Sequence, residues 1–457
     1  MRPKRAIERT GVGLAAMAAL AVAGASAPML SATSAATAAR PAGLTVRIKP
    51  QIEIPSARPA ARPQFGGYTP AQLHAAYFEN PLLSKGINGK GATIVIVDSF
   101  GSPTIAKDLG VFDRQFQLAA PPSLKIITPA GKVPKFNPNN STMGSWADET
   151  TLDVEWSHAM APGAKIVLVE TPTSENEGTS GFPAILKAEK YVLTHHIGDV
   201  ISQSFGATEQ TFPKGSIRPL RGAYLEAAEP GHDVTVVSAS GDAGATDMQT
   251  DESKLYTHRV TSWPASDPLV TAVGGLNLDL NSAGQRTAPD QVWNDGAGSA
   301  SAGGGGLSID FSRPAFQNGV ASVVGGHRGV PDVSMSASCS HAVDIYESFD
   351  TAGWELICGT SEATPLLAGV IALADQVAKG PIGPIDGFLY QLAAAHAQGI
   401  TDVTHGNNTV SFFQDGKEHT VTGWDAVPGY DLASGVGTVD AKWFVPELAA
   451  MAKKAGR

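Results

Sequence analysis

Cysteine is almost absent from this 457-residue chain, which has two, Cys339 and Cys358. They lie close together behind a signal-like N-terminus and read as one disulfide, with a catalytic thiol at Cys358 as the alternative. Long basic runs are missing too. With 33 Lys and Arg against 43 Asp and Glu, the formal net charge is -10, so nothing electrostatic points to nucleic acid as a partner. There is no internal repeat and no convincing linker after Tyr68, which argues for one large domain over two. The Gly303-Gly304-Gly305-Gly306 run lacks the Lys-Ser/Thr and helix of a phosphate cradle and reads as a flexible or cleft-edge loop. Most tellingly, no histidine stands in a setting suited to a general base.

What is present begins with Arg2, Lys4, Arg5 and Arg9, then an uncharged Ala/Gly-rich stretch from Gly11 to Leu30 containing Ala25-Ser26-Ala27. This order reads as a signal peptide (1–30), with an uncleaved membrane anchor as the alternative. Residues 31–65 are rich in Ala, Pro, Ser, Thr and Arg, with Glu53 the only acidic side chain, and read as a linker or short pro-segment. The folded domain is expected over 66–450. Strands are expected at Ala92 to Val97, Ile166 to Val169, Val200 to Ser202, Val234 to Val237 and Leu269 to Val273. Helices are expected near Ile105 to Gln117, Ala147 to Met160, Pro183 to His195 and Arg218 to Ala228. Alternating strands and helices predict an α/β fold, a largely parallel sheet covered by helices on both faces, with its site at the strand ends.

Ser361 occupies Gly359-Thr360-Ser361-Glu362-Ala363-Thr364-Pro365, a small-residue turn running into the apolar Leu366 to Leu373. A serine opening a buried helix exposes its hydroxyl and aims backbone N–H groups where an oxyanion forms, so it reads as a nucleophile. Glu149 and Asp153 are four residues apart and share a helix face. Two like charges there repel when both ionise, so the pair suits a site where one proton is shared, although a solvated acidic face is the plainer reading. Asp242 follows the strand Val234 to Val237 in Ser240-Gly241-Asp242-Ala243-Gly244, as a ligand-facing carboxyl or an ordinary turn residue. A Ser/His/Asp mechanism through Asp98 and His158 is the rival. His158 lacks a glycine-flanked setting, and Asp98 reads as a structural residue at a strand end.

These segments together resemble the sedolisins, serine-carboxyl peptidases with a subtilisin-like fold. The likeness runs from Tyr68 to about Pro446 and includes Tyr68-Thr69-Pro70, the Glu149 and Asp153 spacing, Ala161-Pro162-Gly163-Ala164, Ser240-Gly241-Asp242-Ala243-Gly244, Arg328-Gly329-Val330-Pro331-Asp332-Val333 and Gly359-Thr360-Ser361. The resemblance implies that Ser361 attacks the peptide carbonyl, Glu149 is the general base, Asp153 orients Glu149, and Asp242 is the oxyanion donor. It also implies one structural Ca²⁺, held by Asp402 and Asp431 carboxylates and by Val403, Val427 and Gly429 carbonyls, a hard-oxygen set. The family's large folded prodomain has no counterpart in the short stretch before Tyr68. A base that must be ionised and a donor that must be protonated coexist only in acid, so an optimum around pH ~3 to 5 is expected. The expected protein is a secreted, monomeric endopeptidase acting on proteins or peptides, without stable membrane association. Tripeptidyl exopeptidase action and a non-catalytic binding protein on the same scaffold are the alternatives.

Overall fold

Runs of β-branched and aliphatic residues pair side by side at the centre of this computed structural model. It describes residues 67–172, 181–250, 253–296, 300–350 and 353–457, with the backbone of Lys49 and Pro50. The expected signal segment (1–30) and nearly all of the low-complexity stretch (31–65) lie outside the described residues. The described residues fall in one compact unit, Gly43–Arg457.

Eight strands form the main sheet: β1 (Thr93–Ser99), β2 (Leu124–Ile127), β3 (Lys165–Thr171), β4 (Val200–Gln203), β5 (Thr235–Ala239), β6 (Thr271–Asn277), β7 (Gln291–Val292) and β8 (Val333–Ser336). Their order is β7-β6-β5-β4-β1-β3-β2, with β8 also pairing β6. All pairings are parallel except β7 on β6. Parallel strands buried on both faces need near-continuous apolar runs, and the central β1 and β3 have them. Ile94, Ile96, Ile166 and Leu168 face one core; Val95, Val97, Val167 and Val169 face the other.

Four helices place the chemistry: α1 (Ile105–Phe116), α2 (Ser141–Met160), α3 (Gly181–Thr194) and α4 (Thr360–Ala378). Helices α2 and α4 contribute Leu152, Trp156, Leu366 and Ile371 to the first core, and α3 contributes Phe182, Ile185 and Val192 to the second. Helix α2 starts six residues before the expected Ala147. Its opening Ser, Thr and Gly residues carry little helical signal, and the start is set by Asn140, whose Oδ1 accepts from Met143 N at 3.2 Å. The expected helix at Arg218 to Ala228 divides into a 3₁₀ turn, Arg218–Arg221, and a short α-helix, Gly222–Ala227. Pro219 and Gly222 interrupt the regular pattern there. Strand β6 starts at Thr271, two residues after the expected Leu269, and β2 and β8, four residues each, were not expected. Among the described residues, no helix is long and apolar enough to cross a membrane.

One buried ion pair joins this sheet to the C-terminal segments. Arg328 is fully buried; its guanidinium donates to Asp332 Oδ1 at 2.6 Å and to Oδ2. The same carboxylate accepts from Ala272 N at 2.8 Å and Tyr390 Oη at 2.9 Å. Removing one partner strands the other charge in a dry interior. Arg328→Met should therefore lower unfolding stability by roughly 3–5 kcal/mol in urea titrations; a loss below about 1 kcal/mol would mean the pair is not holding β6 and β8 together.

Candidate active site

Ser361 owes its position to the start of α4. Gly359 precedes the helix with φ of 120°, a conformation side chains resist, and α4 is buried from Thr360 through Asp375. Pro365 lies four residues after Ser361 and has no N–H, so the Ser361 carbonyl is released from the helical ladder. The Ser204 hydroxyl lies 3.5 Å from that carbonyl. The Cys339–Cys358 disulfide, with 5.0 Å between Cα atoms, ties the segment after β8 to the residue before Gly359.

Helix α2 brings the carboxyls. Ser361 Oγ donates to Glu149 Oε2 at 3.0 Å, with the Ser204 carbonyl 3.2 Å away. Asp153, one turn further along α2, accepts from Ser204 Oγ at 2.8 Å through Oδ1. Ser361, Glu149 and Asp153 are all fully buried. Burial pushes the Glu149 carboxyl well above its usual range; Asp153 and Asp98 raise it further, and the Ser361 hydroxyl partly offsets them. Asp153 is also pushed well up, by burial and then by Asp98, against the Ser204 hydroxyl. Each carboxyl keeps one oxygen without a hydrogen-bond partner, Oε1 of Glu149 and Oδ2 of Asp153. A shared proton turns one carboxyl into the donor the other needs.

Asp242 approaches from the loop beyond β5. Its Oδ1 accepts from Thr360 N at 2.8 Å and Thr360 Oγ1 at 2.7 Å, so the oxyanion candidate is hydrogen-bonded to the residue beside the nucleophile. The glycine run supports this loop from below. Gly304 N donates to Gly241 O at 2.7 Å, Ser240 Oγ to Gly304 O at 2.7 Å and Ala302 N to Asp242 O at 3.0 Å. A Cβ on Gly304 would strike the Ser240 carbonyl. Expected as a flexible or cleft-edge loop, the run lies at the site as buried backbone packing, for which only glycine is small enough.

Asp98, read from the sequence as structural, belongs to this cluster. It is fully buried near the carboxyl end of β1, and its carboxyl is raised to about 7, first by burial and also by Glu170, its register partner on β3. It raises both Glu149 and Asp153. Its position immediately after an apolar strand run was the available signal. His158 is elsewhere: its Nε2 lies 3.0 Å from Ala119 O and 3.1 Å from Asp113 Oδ1. A histidine base for Ser361 is not present there.

Beyond Ser204, Phe205–Thr208 forms a short strand. One edge pairs antiparallel with Ser262–Trp263 and the other with Lys49–Pro50, Pro50 opposite Phe205. This second edge holds an extended chain directly beside the site.

The five residues expected to bind calcium converge in one loop cluster. Asp402 Oδ2 accepts from Gly429 N at 2.8 Å, and Asp431 Oδ2 from Val427 N at 3.0 Å. Ser434 Oγ reaches the Val403 carbonyl at 3.5 Å and Asp431 Oδ1 at 3.1 Å. Two carboxylates brought into one loop cluster are hard oxygen donors of the kind that suits such a cation, and the contacts shown for Val427 and Gly429 are through their N–H groups. Among the described residues no group of three or more His, Cys, Asp or Glu is arranged for a metal, and this set, with two, does not depend on one.

A family model described as "Peptidase_S8: Subtilase family" matches residues 136–399, more than half of the chain and including Glu149, Asp153, Asp242 and Ser361. The chain belongs to the subtilase family, in its sedolisin branch. It is 32% identical to kumamolisin of Bacillus sp. (strain MN-32) over 379 residues, 81% of this chain and 62% of kumamolisin. It is 25% identical to tripeptidyl-peptidase SED2 of Arthroderma otae over 373 residues, 73% of this chain and 57% of that protein. This sedolisin-branch chain thus spans less than two thirds of the length of these curated relatives. The solved Pseudomonas sedolisin, a serine-carboxyl proteinase complexed with two molecules of pseudo-iodotyrostatin, matches with a TM-score of 0.68 at 24% identity. That match covers 88% of this chain and 100% of the other and shows the common fold.

The carboxyl burial has a consequence for stability. Asp98 and Glu189, both fully buried, are raised to about 7 and about 8. Unfolded carboxyls ionise near pH ~4, so above that pH the folded state binds more protons than the unfolded one. The stabilisation is complete below pH ~4 and is lost as pH rises towards 7 and 8, on the order of a few kcal/mol per group. Calorimetry of Ser361→Ala should show the melting temperature falling steadily from pH 4 to 8; a flat or rising curve would contradict this protonation pattern.

Proposed function

We propose that this chain is a secreted, acid-active serine-carboxyl endopeptidase. The observation carrying the reading is the 3.0 Å hydrogen bond from Ser361 Oγ to Glu149 Oε2 at the start of a buried helix. Ser361 Oγ attacks the peptide carbonyl carbon as its proton passes to Glu149 Oε2. The carbonyl oxygen takes up the charge and receives a hydrogen bond from protonated Asp242. Collapse of the tetrahedral intermediate breaks the C–N bond, and Glu149 returns the proton to the leaving amine. Water then hydrolyses the Ser361 ester, with Glu149 again as base. Burial raises Glu149, Asp153 and Asp98 together, so the cluster shares protons. The reading needs Glu149 ionised and Asp242 protonated at once, and too few protons disable Asp242 while too many disable Glu149.

The Phe205–Thr208 edge supports an extended polypeptide as substrate, read through main-chain hydrogen bonds. Secretion is supported by the charged-then-apolar N-terminus and the disulfide. Calcium, held by Asp402, Asp431 and the carbonyls of Val403, Val427 and Gly429, would neutralise the two carboxylates and tie their loops together. Tripeptidyl action is the second reading, favoured by the relative named as a tripeptidyl peptidase.

Cleavage of a denatured protein by the wild type should be confined to acid between pH 3 and 8 and absent in Ser361→Ala. A maximum near neutrality would remove the carboxyl base from the reading. Asp242→Asn keeps a donor that needs no protonation, so its residual activity should extend to higher pH; an unchanged alkaline limit would exclude Asp242 as a titrating oxyanion donor. An N-terminally acetylated peptide should be cut internally, whereas release of tripeptides only from free N-termini would establish the exopeptidase reading. Chelation should lower the melting temperature, because an ion bound only to the folded state stabilises it by mass action; no shift on adding chelator and none on restoring Ca²⁺ would remove calcium.

A further inference from the structure

Asp242 has two carboxyl oxygens, and its task depends on which one carries the proton. Thr360 faces Oδ1. Its backbone N–H donates to that oxygen at 2.8 Å, and its hydroxyl lies 2.7 Å from the same atom. The direction of the hydroxyl bond is set by a third group. Gly241 N lies 3.2 Å from Thr360 Oγ1, and a backbone N–H can only donate. Oγ1 therefore accepts from Gly241 and turns its own hydrogen towards Asp242. Both lone-pair directions of Oδ1 then meet donor hydrogens, and a carboxylic proton on Oδ1 would collide with them.

We propose that Thr360 is a positioning residue that holds the Asp242 proton on Oδ2, so that the carboxyl presents its O–H, and not its carbonyl oxygen, to the forming oxyanion. The inference rests on the assignment of Asp242 as oxyanion donor and adds how that donor is kept in the competent protomer. Among the described residues, Glu149 on α2 interacts electrostatically with Asp242, and Asp98 and Asp153 act on Glu149. The Ala302–Gly306 segment offers backbone only, bonded to Asp242 O, Gly241 O and Ser240. On α4, Thr360 and Ser361 are uncharged, and Glu362 is fully buried with its carboxyl pushed well up by burial.

Thr360 has a second effect of predictable sign. Donors aimed at a carboxyl favour its ionised form. Removing the hydroxyl should let Asp242 keep its proton to higher pH while leaving that proton free to occupy either oxygen. Thr360→Val, nearly isosteric, should lower kcat by about 10- to 100-fold with KM within about threefold, the loss expected for a misdirected oxyanion donor. It should also extend the alkaline limb of kcat/KM upward. Thr360→Ser, which keeps the hydroxyl, should restore both. In an Asp242→Asn background there is no proton to place, so Thr360→Val should leave the limb where Asp242→Asn alone puts it.

A Thr360→Val enzyme with wild-type kcat and limb, or the same shift in the Asn background, overturns the proposal. The controls separate this from failure of the mechanism beneath it. If Asp242→Asn leaves the wild-type limb unmoved, Asp242 is not the titrating donor and both fall. If it moves the limb and Thr360→Val does not, only the role of Thr360 falls. Carbon-13 NMR of aspartate carboxyls in Ser361→Ala protein provides a readout without turnover, with the Asp242 resonance identified by its loss in the Asn variant. Its titration should move to higher pH on adding Thr360→Val, and an unmoved titration overturns the proposal.

Discussion

Several buried carboxyls packed around one serine form the constraint on which the site depends. Glu149, Asp153 and Asp98 are each fully buried and raise one another's affinity for protons. Three carboxylates are hard to charge together in such an interior, because burial and mutual repulsion both favour the protonated form. The site therefore holds protons to a higher pH than solvated carboxyls do, and the fold is most stable where those protons are present.

Such a cluster survives only in a rigid surrounding. Helix α2 is buried along most of its length and packs on α4, so Glu149 meets Ser361 through two core helices. The Asp242 loop is held by a different means, backbone against backbone, with Ala302 and Gly304 bonded to the chain on either side of Asp242. The disulfide fixes the approach to Gly359, whose positive φ starts α4 at the required point. Ser361, Glu149 and Asp242 thus come from three distant segments, each fixed by packing and not by one continuous loop.

Membership in a family and the fold of a solved sedolisin establish the scaffold, whereas the chemistry has to be read from the site. A subtilase scaffold accommodates more than one kind of base. The decisive local fact is that Ser361 hydrogen-bonds to a glutamate, while His158 is engaged by Asp113 and the Ala119 carbonyl. The same geometry bears on substrate. The strand Phe205–Thr208, next to Ser204, pairs along one edge with Lys49–Pro50, and main-chain pairing of that kind asks little of side chains.

By itself the sequence determined the elements whose signal is local. Apolar runs marked β1, β3, β4 and β5, because parallel strands buried on both faces leave no room for polar residues. The small-residue turn at Gly359-Thr360-Ser361 and the four-residue spacing of Glu149 and Asp153 marked the serine and the carboxyl that the fold brings together. Short strands such as β8, the capped start of α2 at Asn140 and the division at Gly222 were not legible, since tertiary pairing and single caps set them. The neighbours of Asp98 and of the glycine run were not legible for the same reason: a strand-end carboxylate and a string of glycines have no distinctive chemistry until something is packed against them. Only the tertiary structure decided that Asp98 joins Glu149 and Asp153, that Gly304 lies against Ser240, and that Thr360 bonds Asp242. Those contacts join residues far apart in the chain, and residue type and spacing carry no information about which distant groups come to share one dry interior.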